Sequence, residues 1–246
     1  MSELDELQIY LGKSLQVNDK ITIPQARIRD IMELGERTYY SIVHSIVSIP
    51  SDHKSMLWDV GIDWMEISDF DFFCLMHASR NFPIEQTRYV LGELDLSKFN
   101  LYKNDCGDAV LYDAENDIVI DQHIHHLITN FLCKCNMITP KVEKAGNHYT
   151  KMYLIEEDRK KRERAAESQD EHKSVLQPLI SALVNSAEFK YNIDQVLDLT
   201  LYQLRDSIAR IGIIRDVTVL HNGLYANGVD RDKLDKKLLD WTRRLK

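Results

Sequence analysis

Apolar and polar residues alternate along two parts of the chain, and this alternation predicts two small sheets. The first run, L-Q-I-Y-L-G-K-S-L-Q-V-N-D-K-I-T-I-P, contains the turn pairs Gly12-Lys13 and Asn18-Asp19, so we expect two or three short strands before Pro24. In the second part, residues 99–121, polar turns separate three strand-like runs, F-N-L-Y-K, A-V-L-Y-D and I-V-I-D. Their spacing predicts a β-meander.

Between and after these sheets the apolar residues recur at helical spacing. Four of these helical stretches are preceded by a predicted N-cap, a residue whose side-chain oxygen can accept a hydrogen bond from the first free backbone N–H groups. These residues are Thr38, Ser51, Ser68 and Asn192. The segment from Asp121 through Cys135 is also predicted to be a helix, and a long helix is expected from residue 200 onwards.

A charged segment separates the meander and its helix from the C-terminal part. Its i,i+4 pairs, Glu156–Lys160, Glu157–Lys161 and Asp158–Arg162, have the orientation that favours a solvated helix. The stretch Glu163–Lys173 has almost no apolar bulk, which is typical of a disordered segment. We therefore expect a mobile, charged connection at this place.

Together these patterns predict a helix-rich α+β fold. A small N-terminal antiparallel sheet and a central β-meander are expected to pack with helices, and an all-α C-terminal part follows. We expect an α+β domain over residues 1–153, a charged linker or solvated helix over 154–173, and a helical region over 174–246. A chain of 246 residues is long enough to bury a core in one large domain or two smaller ones.

The net charge of −8 is unevenly distributed along the chain. Residues 1–120 contain 10 Lys and Arg against 21 Asp and Glu, whereas residues 121–246 contain 21 against 18. The acidic first half argues against nucleic acid as a partner, because phosphate binding depends on clustered basic side chains. Halves of opposite sign favour attraction between the two halves or between copies of the chain.

The termini and the cysteines indicate a protein of the cytosol. The start, M-S-E-L-D-E-L-Q, lacks the basic residues and apolar run of a signal peptide, and no window approaches the roughly 18 apolar residues of a membrane-spanning helix. The cysteines do not have the spacing of a disulfide framework, so reduced thiols are the simplest interpretation. They are Cys74, Cys106, Cys133 and Cys135.

The stretch D-Q-H-I-H-H-L-I-T-N-F-L-C-K-C-N raises the question of a metal site. On a helix His123 and His126 share one face, but Cys133 lies two turns, or about 10 Å, further along and cannot complete a tetrahedral site with both. A zinc ion would need ligands from elsewhere, such as Cys106 or Asp121. The apolar neighbours of the thiols favour cysteines that pack as small core residues, and we predict no metal.

Other signatures of catalysis do not occur in the sequence. It has no G-x-S-x-G, G-x-G-x-x-G, H-E-x-x-H or P-loop motif, and its 9 glycines are not clustered. Four carboxylates between residues 63 and 71 lack the spacing of a calcium-binding loop, and capping and solubility explain them. We predict no catalytic residue, no cofactor and no small-molecule substrate. The four carboxylates are Asp63, Glu66, Asp69 and Asp71.

Four aromatic residues are candidates for binding a partner protein. Trp58, Trp64, Tyr225 and Trp241 are of the types that contribute most to protein interfaces. The alternative is that they belong to the core. A basic run, R-K-K-R-E-R at residues 159–164, is of the kind that contacts nucleic acid, but the acids on both sides favour a solvated helix face.

Several blocks of the sequence carry a family resemblance. They are L-G-K-S-L-Q-V-N-D-K-I-T-I, I-M-E-L-G-E-R-T-Y-Y-S-I-V, V-L-Y-D-A-E-N-D-I-V-I-D, L-I-S-A-L-V-N-S-A-E-F-K-Y-N and H-N-G-L-Y-A-N-G-V-D. The series resembles uncharacterised proteins encoded in tail-morphogenesis regions of tailed phages and prophages of Gram-positive bacteria, and its architecture is similar to that of tail assembly chaperones. The resemblance covers nearly the whole chain. Because no block is a catalytic or ligand-binding motif, it assigns no functional residue.

The resemblance implies a non-enzymatic protein of the host cytoplasm that acts in tail morphogenesis. We expect a tail assembly chaperone that binds tape-measure and tube proteins, without a nucleic-acid or membrane partner, and self-association stays open. One alternative is a structural component of the virion, located in the tail or at the head–tail junction. A remote alternative is a metal-dependent enzyme built on the His/Cys segment.

Overall fold

The structure is a computed structural model that describes residues 6–77, 82–104, 106–167, 173–226 and 234–245. The chain is 59% helical and, within these ranges, has a two-stranded and a three-stranded antiparallel sheet, which confirms the helix-rich α+β fold. Two compact units are present, one made of Met1–Ala26 and Asp30–Lys173 and the other of Arg27–Arg29 and Ser174–Lys246. The predicted division into residues 1–153, 154–173 and 174–246 stays a prediction.

The first unit begins with a short helix where the alternating pattern predicts a strand. Helix α1 is Glu6–Tyr10, and the hairpin that follows consists of β1 (Leu15–Gln16) and β2 (Thr22–Ile23). The N–H of Leu11 donates to the carbonyl of Leu7 at 2.9 Å. Two of the two or three predicted strands are therefore present, while the residues of α1 form a helical turn, in which only Ile9 is buried, instead of a further strand.

In the described residues from 28 to 91 five helices follow, and the caps predicted for them have mixed outcomes. Ser68 is a cap as predicted, because its hydroxyl accepts from the Asp71 N–H at 3.0 Å and donates to that carboxylate. Thr38 is not a cap, since Gly35, with φ of 90°, precedes the helix that starts at Glu36. The helices are α2 (Ile28–Leu34), α3 (Glu36–Val47), α4 (Lys54–Asp59), α5 (Asp69–His77) and α6 (Ile84–Leu91).

The residue predicted to cap α4 has a different role. Ser51 lies in a 3₁₀ turn, Pro50–Asp52, and α4 begins only at Lys54. The Ser51 hydroxyl is buried and accepts a hydrogen bond from the Glu143 N–H at 3.1 Å. The prediction was wrong because a partner far along the chain uses the hydroxyl.

The predicted β-meander is confirmed. Its strands pair in the order β3–β4–β5, and the register sets Leu111 of β4 opposite Ile120 of β5, both of which are buried. The meander leads into α7 and, after an irregular segment, into α8. These elements are β3 (Asn100–Lys103), β4 (Ala109–Asp113), β5 (Ile118–Ile120), α7 (Gln122–Asn136) and α8 (His148–Glu167).

The second unit is built around one long helix. Helices α9 (Leu176–Val184) and α10 (Ile193–Leu197) precede α11 (Leu201–Tyr225), and a 3₁₀ turn, Lys236–Leu239, lies near the C-terminus. The predicted cap Asn192 is confirmed, since its side chain accepts from the Gln195 N–H at 2.9 Å. No helix in the described ranges is long and apolar enough to cross a membrane.

Candidate functional site

The histidines that follow Asp121 lie at the start of α7 and do not converge on one point. The Asp121 carboxylate caps the helix by accepting from the Ile124 N–H at 2.7 Å. His123 and His126 are exposed on the first two turns. In the parts of the chain that the structure describes, no three His, Cys, Asp or Glu side chains are grouped so that they could hold a metal ion. The carboxylate of Asp121 is used as a helix cap.

The remaining candidates of this stretch are packed inside the first unit. His125 lies against the rings of Phe70 and Phe73, with centroid distances of 5.5 and 4.4 Å. Burial raises the pKa of the Cys133 thiol to about 11 and that of Cys135 to about 12. These thiols stay protonated near neutral pH and are poor nucleophiles and metal ligands, because the thiolate is the reactive form. The prediction that they pack as core residues is confirmed.

An open cleft of about 830 Å³ lies beside the start of α7, between α5 and the β3–β4 hairpin. Asp71, Lys103, Asp121 and His126 contribute to its lining, so both signs of charge are present. Two of its carboxylates have structural partners: Asp71 accepts from the Ser68 hydroxyl at 2.7 Å, and Asp121 caps α7. Both of these carboxylates are therefore engaged at the starts of helices.

Two of the four candidate aromatic residues surround one ammonium group. Lys151 Nζ lies 5.4 Å from the ring centroids of both Trp58 and Trp64, within the range of cation–π attraction, and it forms an ion pair with Asp63. Burial raises the pKa of the Asp63 carboxyl, but the hydrogen bond from Lys151 and a backbone N–H bond outweigh it and hold the pKa below its usual value. Trp64 is 3% exposed and belongs to the core, whereas Trp58 is half-buried.

Helix α8 binds α4 through a buried carboxylate. Asp158, which is 9% exposed, accepts from the backbone N–H of Ser55 at 2.9 Å and from its hydroxyl at 2.7 Å. These bonds satisfy an N–H of the first turn of α4, so Asp158 caps that helix from elsewhere in the chain. One turn earlier, Ile155 of α8 packs into the same core as Trp64. Beyond Arg159 the described residues of α8 are exposed.

Glu143 connects the irregular segment before α8 to α4. Its carboxylate forms ion pairs with Lys141 and Lys54, each at 2.8 Å, and its carbonyl accepts from Trp64 Nε1 at 3.2 Å. The hydrogen bonds from Lys141 and Lys54 lower the pKa of the Glu143 carboxyl to about 2. Glu143, Asp63 and Asp158 are therefore engaged in holding the first unit together.

The other two candidate aromatic residues lie on the surface of the second unit. Tyr225, the last residue of α11, is 86% exposed, and Trp241 is 57% exposed. The segment that carries Trp241 is tied to α11 by Arg210, whose Nη1 donates to the carbonyls of Trp241 and Arg243 at 2.9 Å each. Both side chains are therefore accessible to solvent, in contrast to Trp64.

A cleft of about 570 Å³ lies between α11 and the segment Asp235–Leu245. We call it the basic cleft, because three of its lining residues, Lys237, Arg243 and Arg244, are cationic. The other lining residues are Asp235 and the apolar Ala209, Ile213, Leu238 and Leu245. Its volume lies within the roughly 300–1,000 Å³ that binding pockets usually span.

Comparison with known proteins identifies this same part of the chain. Residues 168–246 match the family model described as the YomV second domain. That family is of phage type. The match includes the basic cleft, Tyr225 and Trp241, while residues 1–167 lie outside it. No curated protein and no solved structure matches the chain.

The sequence pattern missed the buried contacts of α8. Asp158 was interpreted as the acidic partner of Arg162 on a solvated face, but it lies three residues after the buried Ile155 and shares its side of the helix. The three-residue spacing between Ile155 and Asp158 is the feature of the sequence that indicates burial of Asp158. The contacts of Glu143 and Lys151 leave no such signal, because they join segments that are far apart in sequence.

Proposed function

We propose that the chain is a non-enzymatic protein of phage tail morphogenesis that acts as a tail assembly chaperone. The observation that carries the proposal is the match of residues 168–246 to a phage-type family, in a region that exposes Tyr225 and Trp241. Aromatic side chains bury a large apolar area when a partner covers them, and they anchor many interfaces.

In this proposal the second unit shields apolar segments of the tape-measure protein and helps tube subunits assemble around it. The overall charge of −8 opposes aggregation of the chaperone before its partners arrive. The carboxylates of the first unit contribute stability, since Asp63, Glu143 and Asp158 all have partners inside the fold.

The test is capture of the cognate tape-measure protein by the purified chain. We expect association that weakens by roughly tenfold or more when Tyr225 and Trp241 are both replaced by alanine, since an interface hot spot costs about 2 kcal/mol or more when truncated. Tyr149→Ala is the matched control, because Tyr149 is 84% exposed but lies in α8 of the first unit. No association, together with normal tails formed without the protein, would remove the proposal.

A second measurement distinguishes the chaperone role from that of a structural component of the virion. Mass spectrometry of purified particles measures whether the chain stays in the assembled tail. Its absence from particles supports the chaperone, whereas stoichiometric presence supports a permanent place in the tail or at the head–tail junction.

A further inference from the structure

Strand β3 forms an edge of the three-stranded sheet, and its outer side is uncovered. All of its residues, Asn100–Lys103, are exposed, whereas the neighbouring strand β4 contains the buried Val110, Leu111 and Asp113. Among the described residues no strand pairs with β3 on the side opposite β4. An edge strand of this kind presents backbone N–H and C=O groups that can pair with another chain.

The hydrogen bonds of the β3–β4 hairpin show which backbone groups of β3 point outward. The N–H of Asn104 donates to the carbonyl of Asp108 at 2.9 Å, and the register sets Tyr102 in the same phase. In an antiparallel pair, hydrogen-bonded residues alternate with residues whose backbone groups point away from the neighbouring strand. The N–H and C=O groups of Leu101 and Lys103 therefore face away from β4.

The preceding residue in this outward phase supports the assignment. Phe99 lies two residues before Leu101, and its carbonyl accepts a hydrogen bond from His77 Nε2 of α5 at 2.8 Å. At Leu101 and Lys103, by contrast, no hydrogen bond between described residues engages the outward groups. These two residues together leave two donors and two acceptors for a further strand.

The side chains at this edge favour an apolar strand. Ile120 of β5, Leu111 of β4 and Leu101 of β3 lie side by side on the core-facing side of the sheet, with exposed fractions of 1%, 0% and 59%. The core therefore covers two strands and stops at the third. On the other face, Tyr102 is 48% exposed and its ring packs edge-on against Tyr112, with centroids 5.8 Å apart. Apolar and aromatic side chains of an added strand would cover both positions.

Lys103 decides which kind of strand fits. It is exposed, and the ion pairs between described residues do not include it. A lysine on an edge opposes pairing with an identical strand. In the register that uses the outward groups, Lys103 would lie opposite Leu101 of a second copy, with the second lysine about 7–8 Å away along the diagonal. A strand of a different protein can instead supply a carboxylate opposite Lys103.

We propose that β3 binds an extended segment of another protein as a fourth, antiparallel strand of the sheet. The partner residue opposite Lys103 carries a carboxylate, the next residue packs against Tyr102, and the one after it is apolar and lies opposite Leu101. Because antiparallel strands run in opposite directions, the partner motif is acidic–aromatic–apolar from its N-terminal to its C-terminal end. Main-chain hydrogen bonds supply affinity, and the alternate side chains supply specificity.

This surface belongs to the first unit, whereas Tyr225 and Trp241 belong to the second. The inference therefore goes beyond the chaperone proposal and does not depend on it.

The experiment titrates the isotope-labelled full chain with two synthetic peptides of identical composition and follows it by NMR. The matching peptide, acetyl-Lys-Thr-Glu-Tyr-Val-Thr-Lys-amide, contains the motif, and in the exchanged peptide Glu and Val are interchanged. Both have the same net charge, so their long-range attraction to the chain is equal. We expect the matching peptide to bind roughly fivefold or more tightly, because the exchanged peptide loses both cross-strand pairs.

The same titration locates the binding site. Hydrogen exchange at the backbone N–H groups of Leu101 and Lys103 should slow when the matching peptide binds, because these donors gain acceptors. The N–H of Tyr102 should change less, since it already bonds to β4.

Three variants test the register. Leu101→Pro removes one outward N–H and should weaken binding of the matching peptide by roughly fivefold or more. Proline is tolerated on an edge strand where its N–H would face solvent, so the pairing with β4 stays. Lys103→Glu should weaken binding several-fold and restore it for a peptide with Lys in place of Glu. Lys161→Glu makes the same charge change on the exposed part of α8 and should leave binding unchanged. Urea unfolding of each variant checks the fold.

Four outcomes would overturn the proposal. The first is equal binding of the matching and exchanged peptides, and the second is unchanged exchange at Leu101 and Lys103 with millimolar matching peptide. The third is binding that neither Leu101→Pro nor Lys103→Glu weakens. The fourth is self-association of the full chain, measured by sedimentation, that Leu101→Pro abolishes, because a second copy would then occupy the edge.

Discussion

Replacing Asp158 by alanine is expected to destabilise the first unit by about 3 kcal/mol. The carboxylate accepts two hydrogen bonds from Ser55, at 2.9 Å from the backbone N–H and 2.7 Å from the hydroxyl. A bond to a charged group contributes about 1.5–3 kcal/mol, and a buried N–H left without an acceptor costs about 1–3 kcal/mol. Removal of negative charge from the first turn of α4 adds a few tenths. The two bonds and the unpaired N–H together would cost about 4 kcal/mol or more, and partial relaxation of Ser55 lowers the expected loss to about 3 kcal/mol.

The assay is urea unfolding followed by tryptophan fluorescence. The chain has 3 tryptophans, of which Trp58 and Trp64 lie in the first unit and Trp241 in the second. In a Trp241→Phe background the signal therefore reports the first unit alone, so that each unfolding curve describes one cooperative transition. With a urea m-value of about 1–3 kcal/mol/M, a loss of 3 kcal/mol lowers the midpoint by about 1–3 M.

Two further variants make the result specific. Asp158→Asn keeps an oxygen acceptor without the charge and should lose only about 1 kcal/mol. Lys161→Ala, on the exposed part of the same helix, should leave the free energy of unfolding within about 0.5 kcal/mol of the parent value. If Asp158→Ala moved the midpoint no more than Lys161→Ala, the inference that α8 caps α4 would be refuted.

Three further predictions use the same chain. The pKa of Glu143 is lowered to about 2 from its ordinary 4.5, so its contribution to the free energy of unfolding is fully present above about pH 5 and is lost as the pH falls towards 2. Glu143→Gln should therefore reduce the loss of first-unit stability between pH 5 and pH 3, which is measured by urea midpoints. Arg210→Ala removes both bonds to the carbonyls of Trp241 and Arg243, so tryptic cleavage at the C-terminal segment should become several-fold faster, whereas an unchanged rate would show that Arg210 does not hold it. A disulfide reagent near pH 8 should label the exposed Cys106 quickly in the native chain and should reach Cys133 and Cys135 only after unfolding. Labelled peptides are identified by mass. Rapid labelling of either buried thiol in the native chain would contradict the packing described for α7.

Local chemistry accounts for the predictions that succeeded. The meander follows from alternating residues between polar turns, and Ser68 and Asn192 cap their helices because each has a free donor three residues ahead. These features depend on neighbours within a few positions. The burial of Cys133 and Cys135 was also predictable, since both follow the apolar stripe of α7.

The caps predicted wrongly, Thr38 and Ser51, have different causes, one local and one distant. Thr38 has a suitable side chain for a cap, but the cap position is held by Gly35 with its positive φ, so α3 begins three residues earlier. Ser51 is equally suitable, and its hydroxyl is used by the backbone of Glu143 instead. In both cases the residue type was suitable for a cap, but a neighbouring glycine took the cap position before α3 and a distant backbone group used the hydroxyl of Ser51.

The sequence by itself determined the fold class, the short sheets, the long helices and the helical character of residues 121–136, because hydrophobic periodicity and capping act over a few residues. Only the tertiary structure decided which polar groups are structural. It places Asp158, Asp63 and Glu143 in bonds with Ser55, Lys151 and Lys54, and it leaves Tyr225 and Trp241 on the surface while Trp64 is buried. The sequence around a carboxylate or an aromatic ring looks the same whether the side chain is structural or exposed. Only packing between distant segments determines whether water, a protein group or a partner covers it.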